Sequence, residues 1–128
     1  MRVIEDKVTV DPHHAMSKGD IPVIWWSIPS EWTNGIETVR LCSAQQWPLR
    51  RAFYSEFNQM LTICSRGLTQ DQTIRAMLTE LAARGLGLKF QRWHRLPEQD
   101  AARVERIIAP LVELIVPQLS RKRVLCGK

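Results

Sequence analysis

The chain has 128 residues, 45% of them hydrophobic and 24% charged, which is ordinary for a globular protein. This length favours one domain spanning residues 1–128. No apolar run approaches the ~20 residues needed to cross a bilayer, and the first residues lack the apolar core of a secretory signal, so we expect a cytoplasmic protein without a membrane span. Cys42, Cys64 and Cys126 are odd in number and widely spaced, which indicates free thiols.

Charge is distributed unevenly along the chain. Residues 1–42 carry four basic and six acidic side chains, a net charge of −2, whereas residues 43–128 carry fourteen basic and seven acidic ones, a net charge of +7. The two parts sum to the overall charge of +5. A basic surplus of this size is compatible with an acidic protein partner or with nucleic acid, and it does not distinguish between them.

Two strands are predicted in the N-terminal part. Residues 3–10 carry alternating apolar positions, and residues 21–28 are rich in β-branched and aromatic residues. Pro22 and Pro29 remove backbone donors at both ends of the second segment, which favours an edge position.

Asn34-Gly35 is a strong hairpin signal, because a type I′ turn needs a positive φ at both central residues. A two-residue turn would pair the segment before it with residues 36–41 in antiparallel register. In that register Trp26 faces the helices and Trp25 lies on the opposite face of the sheet. A bulge at Pro29 would reverse this alternation, so the register stays open there.

Residues 47–85 predict a helical hairpin. Trp47-Pro48 is suited to a helix start, and apolar residues then recur at steps of three and four as far as Cys64, including a central Phe57. Gly67 ends this first helix. Thr69 and Gln72 have the spacing of a capping box that starts a second helix, which ends at Gly85.

The remaining segment predicts an extended piece and a last helix. Residues 86–95 alternate and suggest a fourth strand or an extended arm. Pro97 starts a helix in which Pro110 causes a kink or a division and Pro117 limits the end, so residues 120–128 are expected to form a mobile basic tail. The overall expectation is an α+β fold: a small antiparallel sheet, made of the N-terminal strands and the Asn34-Gly35 hairpin, packed on the helical hairpin and the C-terminal helix.

The sequence contains no recognisable catalytic or metal-binding motif. Asp11, His13 and His14 lie close together, but no ligand pair repeats at a zinc-site spacing, so we expect no metal site and no cofactor. No Gly-x-Ser-x-Gly element and no phosphate-binding glycine loop is present. We therefore expect a protein that is not an enzyme.

Two features favour a binding function. Five tryptophans are present, and of these Trp25 is predicted to lie on an uncovered sheet face, where an indole is a preferred interface anchor. The basic residues Lys89, Arg92 and Arg95 also surround the aromatic Trp93. The predicted partner-binding residues are Trp25, Lys89, Arg92, Trp93 and Arg95.

The leading hypothesis is a small non-catalytic regulatory protein that binds another protein as an adaptor, antagonist or inhibitor, plausibly as a homodimer. The alternative is a nucleic-acid-binding protein that uses the basic C-terminal part, because cations around an aromatic ring also hold single-stranded nucleic acid. Its candidate residues are Lys89, Arg92, Trp93, Arg95 and the basic residues from Arg121 to Arg123.

Overall fold

The computed structural model describes residues 1–44, 50–91 and 95–127 and shows an α+β fold. Within these residues four short strands form one sheet, and helices pack against it. In chain order the elements are β1 (Arg2–Glu5), α1 (Asp20–Trp25), α2 (Ser30–Thr33), β2 (Thr38–Leu41), β3 (Ala52–Ser55), β4 (Met60–Ile63), α3 (Gln70–Gly85) and α4 (Glu98–Gly127).

The sheet is mixed, with strand order β1-β2-β4-β3. β1 pairs in parallel with β2, β2 pairs in parallel with β4, and only β3 and β4 are antiparallel. The predicted all-antiparallel sheet is therefore wrong. The reason lies in the connections: the helical segment between β1 and β2, and the passage through β3 between β2 and β4, each return the chain to the same end of the sheet, whereas a tight hairpin would reverse its direction.

Residues 21–28, predicted as a strand, instead contain α1 and lead to α2. Buried side chains occur at Ile21, Ile24, Ile28 and Trp32, which is helical spacing rather than alternation. Pro22 is accommodated because it lies in the first turn of α1, where a backbone N–H has no helical acceptor. The β-branched composition of this segment predicted a strand. That prediction is wrong because burying apolar side chains at steps of three and four stabilises helices more than the β propensity stabilises a strand.

Asn34-Gly35 forms a turn, but the predicted hairpin is wrong. Asn34 has φ −58° and ψ 130°, Gly35 has φ 85°, and the Ile36 N–H donates to the Thr33 carbonyl at 3.1 Å. These angles define a type II turn, in which only the second central residue has a positive φ. The turn joins α2 to β2, and it leaves the preceding residues helical.

The first predicted helix, residues 47–67, is not a helix in its described part. It contains the β3–β4 hairpin, while residues 47–49 lie outside the described residues. Phe57, expected at the centre of a buried stripe, lies in the connection between the two strands and is 99% exposed. Gln59 completes that connection with a φ of 53°. The helical pair of this fold is α3 with α4.

The second predicted helix is confirmed as α3. The Thr69 hydroxyl accepts from the Gln72 N–H at 3.1 Å, and the Thr69 N–H donates to the Gln72 side chain at 3.0 Å, so both bonds of the capping box are formed. The expected apolar stripe is buried as well. Its members are Ile74, Met77, Leu78 and Leu81.

The C-terminal part differs from expectation at two points. Residues 86–91 form no strand in the described structure, although Leu86 and Leu88 pack on the core. α4 continues through Pro110 and Pro117 to Gly127, so residues 120–127 belong to a helix and not to a tail that leaves it. Each proline lacks the N–H that would bond the carbonyl four residues earlier, at Arg106 and Glu113. Both prolines and both of these residues are exposed.

One face of the sheet meets the helices. Cross-strand partners point to the same face, and the register aligns Val39 with Leu61 and Leu41 with Ile63, all four fully buried. α3 packs on β3 and β4, α4 packs on α3 and α1, and α2 packs on α3. This arrangement leaves β3 as an edge strand beside α3.

Candidate functional site

A cleft of about 460 Å³ lies where the beginning of β3, the middle of α3 and the beginning of α4 meet. Six of its lining residues carry a full charge. These are Arg50, Arg51, Arg75, Arg95, Glu80 and Glu105. The other lining residues are Ala52, Ala76, Thr79, Phe90, Leu96, Ala101 and Val104.

The innermost charges of the cleft form an ion pair between β3 and α3. Arg50 Nε donates to Glu80 Oε1 at 2.9 Å, and Arg50 Nη2 donates to Glu80 Oε2 at 3.3 Å. Their side chains are only 20% and 7% exposed. The Arg50 guanidinium also lies 3.8 Å from the centre of the Phe90 ring, a cation–π distance. The pair is thus fixed both by hydrogen bonds and by stacking.

The same pair satisfies backbone groups at the open edge of β3. The Tyr54 N–H donates to Glu80 Oε2 at 2.9 Å, and the Ala52 carbonyl accepts from Arg50 Nε at 3.1 Å. Edge strands present unpaired backbone groups that attract other chains. Here side chains bind two of these groups, which limits indiscriminate pairing and leaves the cleft beside the strand open.

Arg75 connects the two helices at the rim of the cleft. Its Nε donates to Asp71 one turn earlier in α3, and its Nη1 donates to Glu105 of α4, both at 2.9 Å. These bonds raise the pKa of Arg75, the hydrogen bond to Asp71 having the largest effect. Arg75 therefore holds α4 against α3 and is not available to a ligand without exchange of partners.

Arg51 lies on the wall of the cleft, and its guanidinium is occupied. Its Nε donates to the Cys64 carbonyl at 3.0 Å and its Nη2 donates to the Arg66 carbonyl at 3.0 Å. Arg95 differs, because its side chain is exposed and makes no hydrogen bond or ion pair with any residue that the structure describes. Of the four arginines in the described lining, Arg95 is the one whose side chain has no hydrogen bond or ion pair within these residues.

The structure brings one predicted partner-binding residue into the cleft. Arg95 lines it, Lys89 is exposed outside its lining, and Trp25 is half-buried against the core. Arg92 and Trp93 lie outside the described residues, as do the side chains of residues 121–123.

The predicted orientation of the two adjacent tryptophans is reversed. Trp26, expected to face the helices, is 91% exposed, because it follows α1 on the side opposite Ile24. Trp25 packs on the core through part of its ring and retains some exposure. The role of Trp25 in partner binding stays a prediction, and Trp26 joins it as an exposed candidate.

Sequence patterns alone did not identify Arg50, Arg75 or Glu80. Arg50 precedes β3, whereas Arg75 and Glu80 both lie in α3, and no local spacing links Arg50 to the other two. Glu80 carried one usable signal: it falls within the buried stripe of α3, between Met77 and Leu81, where a carboxylate needs a partner.

Two polar pairs outside the cleft resemble fragments of catalytic sites. His14 Nδ1 lies 2.7 Å from Ser65 Oγ, and His14 Nε2 lies 3.0 Å from the Asp6 carbonyl oxygen. Ser65 is fully buried, so its hydroxyl is closed to substrate, and the pair serves to attach the loop after β1 to the end of β4. His13 pairs separately with Asp11 at 2.7 Å.

Over residues 1–44, 50–91 and 95–127 no three His, Cys, Asp or Glu side chains come together as metal ligands would. Among the helices of the same residues, none has the length and apolarity of a membrane span. Comparison with family models, with curated proteins and with solved structures finds no match to this chain. Functional inference therefore rests on the cleft and the surface around it.

Proposed function

We propose that this chain is a small regulatory protein that has no catalytic role and acts by binding a segment of another protein in the cleft between β3, α3 and α4. The observation that carries the proposal is the cleft itself, where an apolar floor lies beside a cationic rim. Such a surface suits a segment that offers an apolar side chain next to a carboxylate.

Charge supports an acidic partner. Among the residues that the structure describes, the cleft lining holds four arginines and two glutamates, a net charge of +2. Arg50 and Arg75 are each paired with a carboxylate, so the surplus is concentrated on Arg51 and Arg95. Arg51 already donates to two carbonyls, which makes Arg95 the strongest position for a ligand carboxylate.

The apolar floor supports a side-chain anchor. Ala76, Ala101, Val104 and Leu96 come from both helices and from the segment before α4, and Phe90 adds an aromatic wall. Binding energy in protein interfaces concentrates where a few side chains enter a desolvated pocket. A leucine-sized or phenylalanine-sized group fits this description, because small residues on the helices leave the space open.

The remainder of the proposal concerns biological setting. We place the protein in the cytoplasm as an adaptor, antagonist or inhibitor, with a homodimer as one mode of association. The exposed Trp26 and the half-buried Trp25 supply a second surface for such contacts. Trp25, Lys89, Arg92 and Trp93 keep their assignment as partner-binding residues in this proposal.

Nucleic acid is the second candidate, favoured by the exposure of both Lys89 and Arg95 around the segment that joins α3 to α4. Phosphate contacts release counterions, so affinity falls steeply as salt rises. An acidic-apolar peptide held partly by an apolar floor is much less sensitive to salt. Salt dependence therefore separates the two candidates.

The test uses the full chain and four fluorescein-labelled probes. Three are short peptides, one acidic with apolar residues, one acidic without them, and one basic with apolar residues, and the fourth is a single-stranded RNA. We expect the acidic-apolar peptide to bind tightest. Arg95→Ala should weaken it about fivefold or more, corresponding to the ~1 kcal/mol that marks a significant contact.

Arg103→Ala is the matched control, because Arg103 is an exposed arginine of α4 that does not line the cleft. It should leave peptide affinity within twofold, about 0.4 kcal/mol. Equal binding of all three peptides, or equal loss in both variants, contradicts the proposal. RNA binding that is tighter than peptide binding and falls steeply with salt selects the nucleic-acid function instead.

A further inference from the structure

Cys42 and Cys64 are neighbours at the ends of two adjacent strands. Cys42 follows β2 and Cys64 follows β4, and the parallel register aligns the last strand residues, Leu41 and Ile63. The Cys42 N–H donates to the Ile63 carbonyl at 2.8 Å, a bond that belongs to the Leu41–Ile63 pair at the end of the ladder. Continuing this register by one residue places Cys64 opposite Cys42, and a side-chain hydrogen bond between the two thiols agrees with this placement.

Direct partners in neighbouring strands have side chains on the same face of the sheet and backbones about 4.8 Å apart. Disulfide-bonded cysteines have Cα atoms roughly 4.4–6.8 Å apart, so this spacing falls within the bonding range. Both cysteines are free thiols in the structure. The pair is therefore placed for a disulfide without a change of strand register.

The two thiols differ in their surroundings. Cys64 is fully buried, and this burial together with the adjacent Cys42 raises the pKa of its thiol to about 12. Cys42 is half-buried, so reagents reach it from solvent. Arg40 interacts electrostatically with both sulfurs and is itself held by two hydrogen bonds to Asp6, at 2.9 and 2.8 Å.

We propose that Cys42 and Cys64 form a peroxide-reactive pair that closes an intramolecular disulfide between the ends of β2 and β4. Cys42 attacks hydrogen peroxide, the O–O bond breaks, an S–O bond forms, and one water leaves, which gives a sulfenic acid. The Cys64 sulfur then attacks the Cys42 sulfur, the S–O bond breaks and a second water leaves. Two thiols are oxidised to a disulfide and one peroxide is reduced to two waters.

The structure explains why the second step competes with further oxidation of Cys42. The resolving thiol is a direct ladder partner, so its effective concentration is set by the sheet. Cys64 is shielded from peroxide, which preserves it as the thiol that closes the disulfide. The cysteine pair contacts the cleft lining through Arg51, which donates to the Cys64 carbonyl, but disulfide formation uses no ligand of the cleft and is tested separately from the proposed function.

The experiment uses the full chain with Cys126→Ser, which removes the remaining thiol. After treatment with hydrogen peroxide and trypsin without reductant, we expect one linked product joining the peptide of residues 41–50 to that of residues 52–66. Intact mass should fall by the mass of two hydrogens, and titratable thiols should drop from two to none. Reductant should reverse all three changes.

A further Cys64→Ala substitution keeps Cys42 and removes its partner. In this variant Cys42 should accumulate as sulfenic acid, detected by dimedone labelling, and excess peroxide should then oxidise it to sulfinic acid. The proposal is overturned if the Cys126→Ser protein gives only oxidised Cys42 monomers or chains linked through Cys42. It is also overturned if the linked product forms no faster in native buffer than in urea, because proximity in the fold then has no effect.

Discussion

Glu80 and Arg50 form a largely buried ion pair in which one carboxylate also holds the edge of the sheet: Oε1 accepts from Arg50 Nε at 2.9 Å, while Oε2 accepts from the Tyr54 N–H at 2.9 Å. Loss of the Glu80 carboxylate removes the ion-pair partner of Arg50 and the acceptor of the Tyr54 N–H. Breaking one partner of a buried pair costs about 3–5 kcal/mol. We expect Glu80→Ala to lower the free energy of unfolding in urea by this amount.

The matched comparison for this first prediction is Asp71→Ala. Asp71 also pairs with an arginine, Arg75, but the two side chains are 51% and 40% exposed. Exposed pairs contribute about 0–1 kcal/mol, because water screens them. Similar losses in the two variants contradict the buried geometry described for the cleft.

A second prediction concerns acid stability. The hydrogen bond from Arg40 lowers the pKa of Asp6 below its ordinary value of 3.8; burial opposes this effect, and bonds from the Ser43 N–H and hydroxyl add to the lowering. A depressed folded pKa contributes stability above the unfolded value, and this contribution is lost as pH falls through the folded value. Asp6→Asn should therefore be less stable by about 1–3 kcal/mol at neutral pH.

The difference between wild type and Asp6→Asn should shrink as the pH is lowered below 3.8, and urea unfolding across this range measures it. Asp11→Asn is the control, because the Asp11 side chain is 94% exposed beside His13. A stability difference for Asp6→Asn that does not change with pH argues against a depressed pKa in the folded state.

The third prediction tests the β3–β4 hairpin. Phe57 is 99% exposed in the connection between the strands, and Leu61 is fully buried four residues later in β4. Phe57→Ala should change the free energy of unfolding by no more than about 0.5 kcal/mol, as exposed substitutions do. Leu61→Ala should cost about 2–5 kcal/mol. Comparable losses of unfolding free energy in the two variants would contradict the hairpin and support the helix expected from the sequence.

The fourth prediction concerns Gly85, the last residue of α3. A Cβ at this position would clash with Trp32 Cδ1, although alanine normally stabilises a helix relative to glycine. Trp32 is itself buried and cannot retreat without loss of packing. We expect Gly85→Ala to lower the melting temperature by several degrees, in line with overpacking costs of about 1–3 kcal/mol.

Gly87 provides the contrast to Gly85. It has a φ of 70°, and nothing lies within 4 Å of an added Cβ. Gly87→Ala should cost about 1 kcal/mol through backbone strain alone. Restoring space with Trp32→Phe should recover part of the Gly85→Ala loss and none of the Gly87→Ala loss, because only the former arises from the indole.

Local signals explain which elements sequence patterns predicted correctly. α3 begins at a capping box whose two hydrogen bonds join residues three apart, and its buried stripe is helical throughout. The capping box and the buried stripe both involve residues of one segment, so they can be read without knowing the rest of the fold. The positive φ of Gly35 was predicted for the same reason, although the turn is of type II and leads from a helix.

Ambiguous periodicity explains the main error. In β4, Leu61, Thr62 and Ile63 are buried on consecutive positions, so burial does not alternate as it does in a strand with one wet face. Together with the apolar residues of β3 this run also matches steps of three and four. Short continuous apolar runs carry too little information to distinguish a buried strand from a helix.

The cleft was outside the reach of sequence patterns because it is assembled from distant parts of the chain. Arg50 precedes β3, Glu80 lies thirty positions later in α3, and Arg95 precedes α4. Of these three residues the sequence predicts only Arg95, through its basic and aromatic neighbours. Its position beside Glu80 and Phe90 depends on how the helices pack.

The two prolines of α4 determine what can cover its outer surface. Pro110 and Pro117 cannot donate to the carbonyls of Arg106 and Glu113, and all four residues are exposed. Both carbonyls therefore lack the helical donor that another residue type would supply. A partner that packed dry on this surface would have to supply hydrogen-bond donors at both levels of the helix, because desolvating an unpaired carbonyl costs about 1–3 kcal/mol. A purely aliphatic partner helix is therefore disfavoured on this surface of α4.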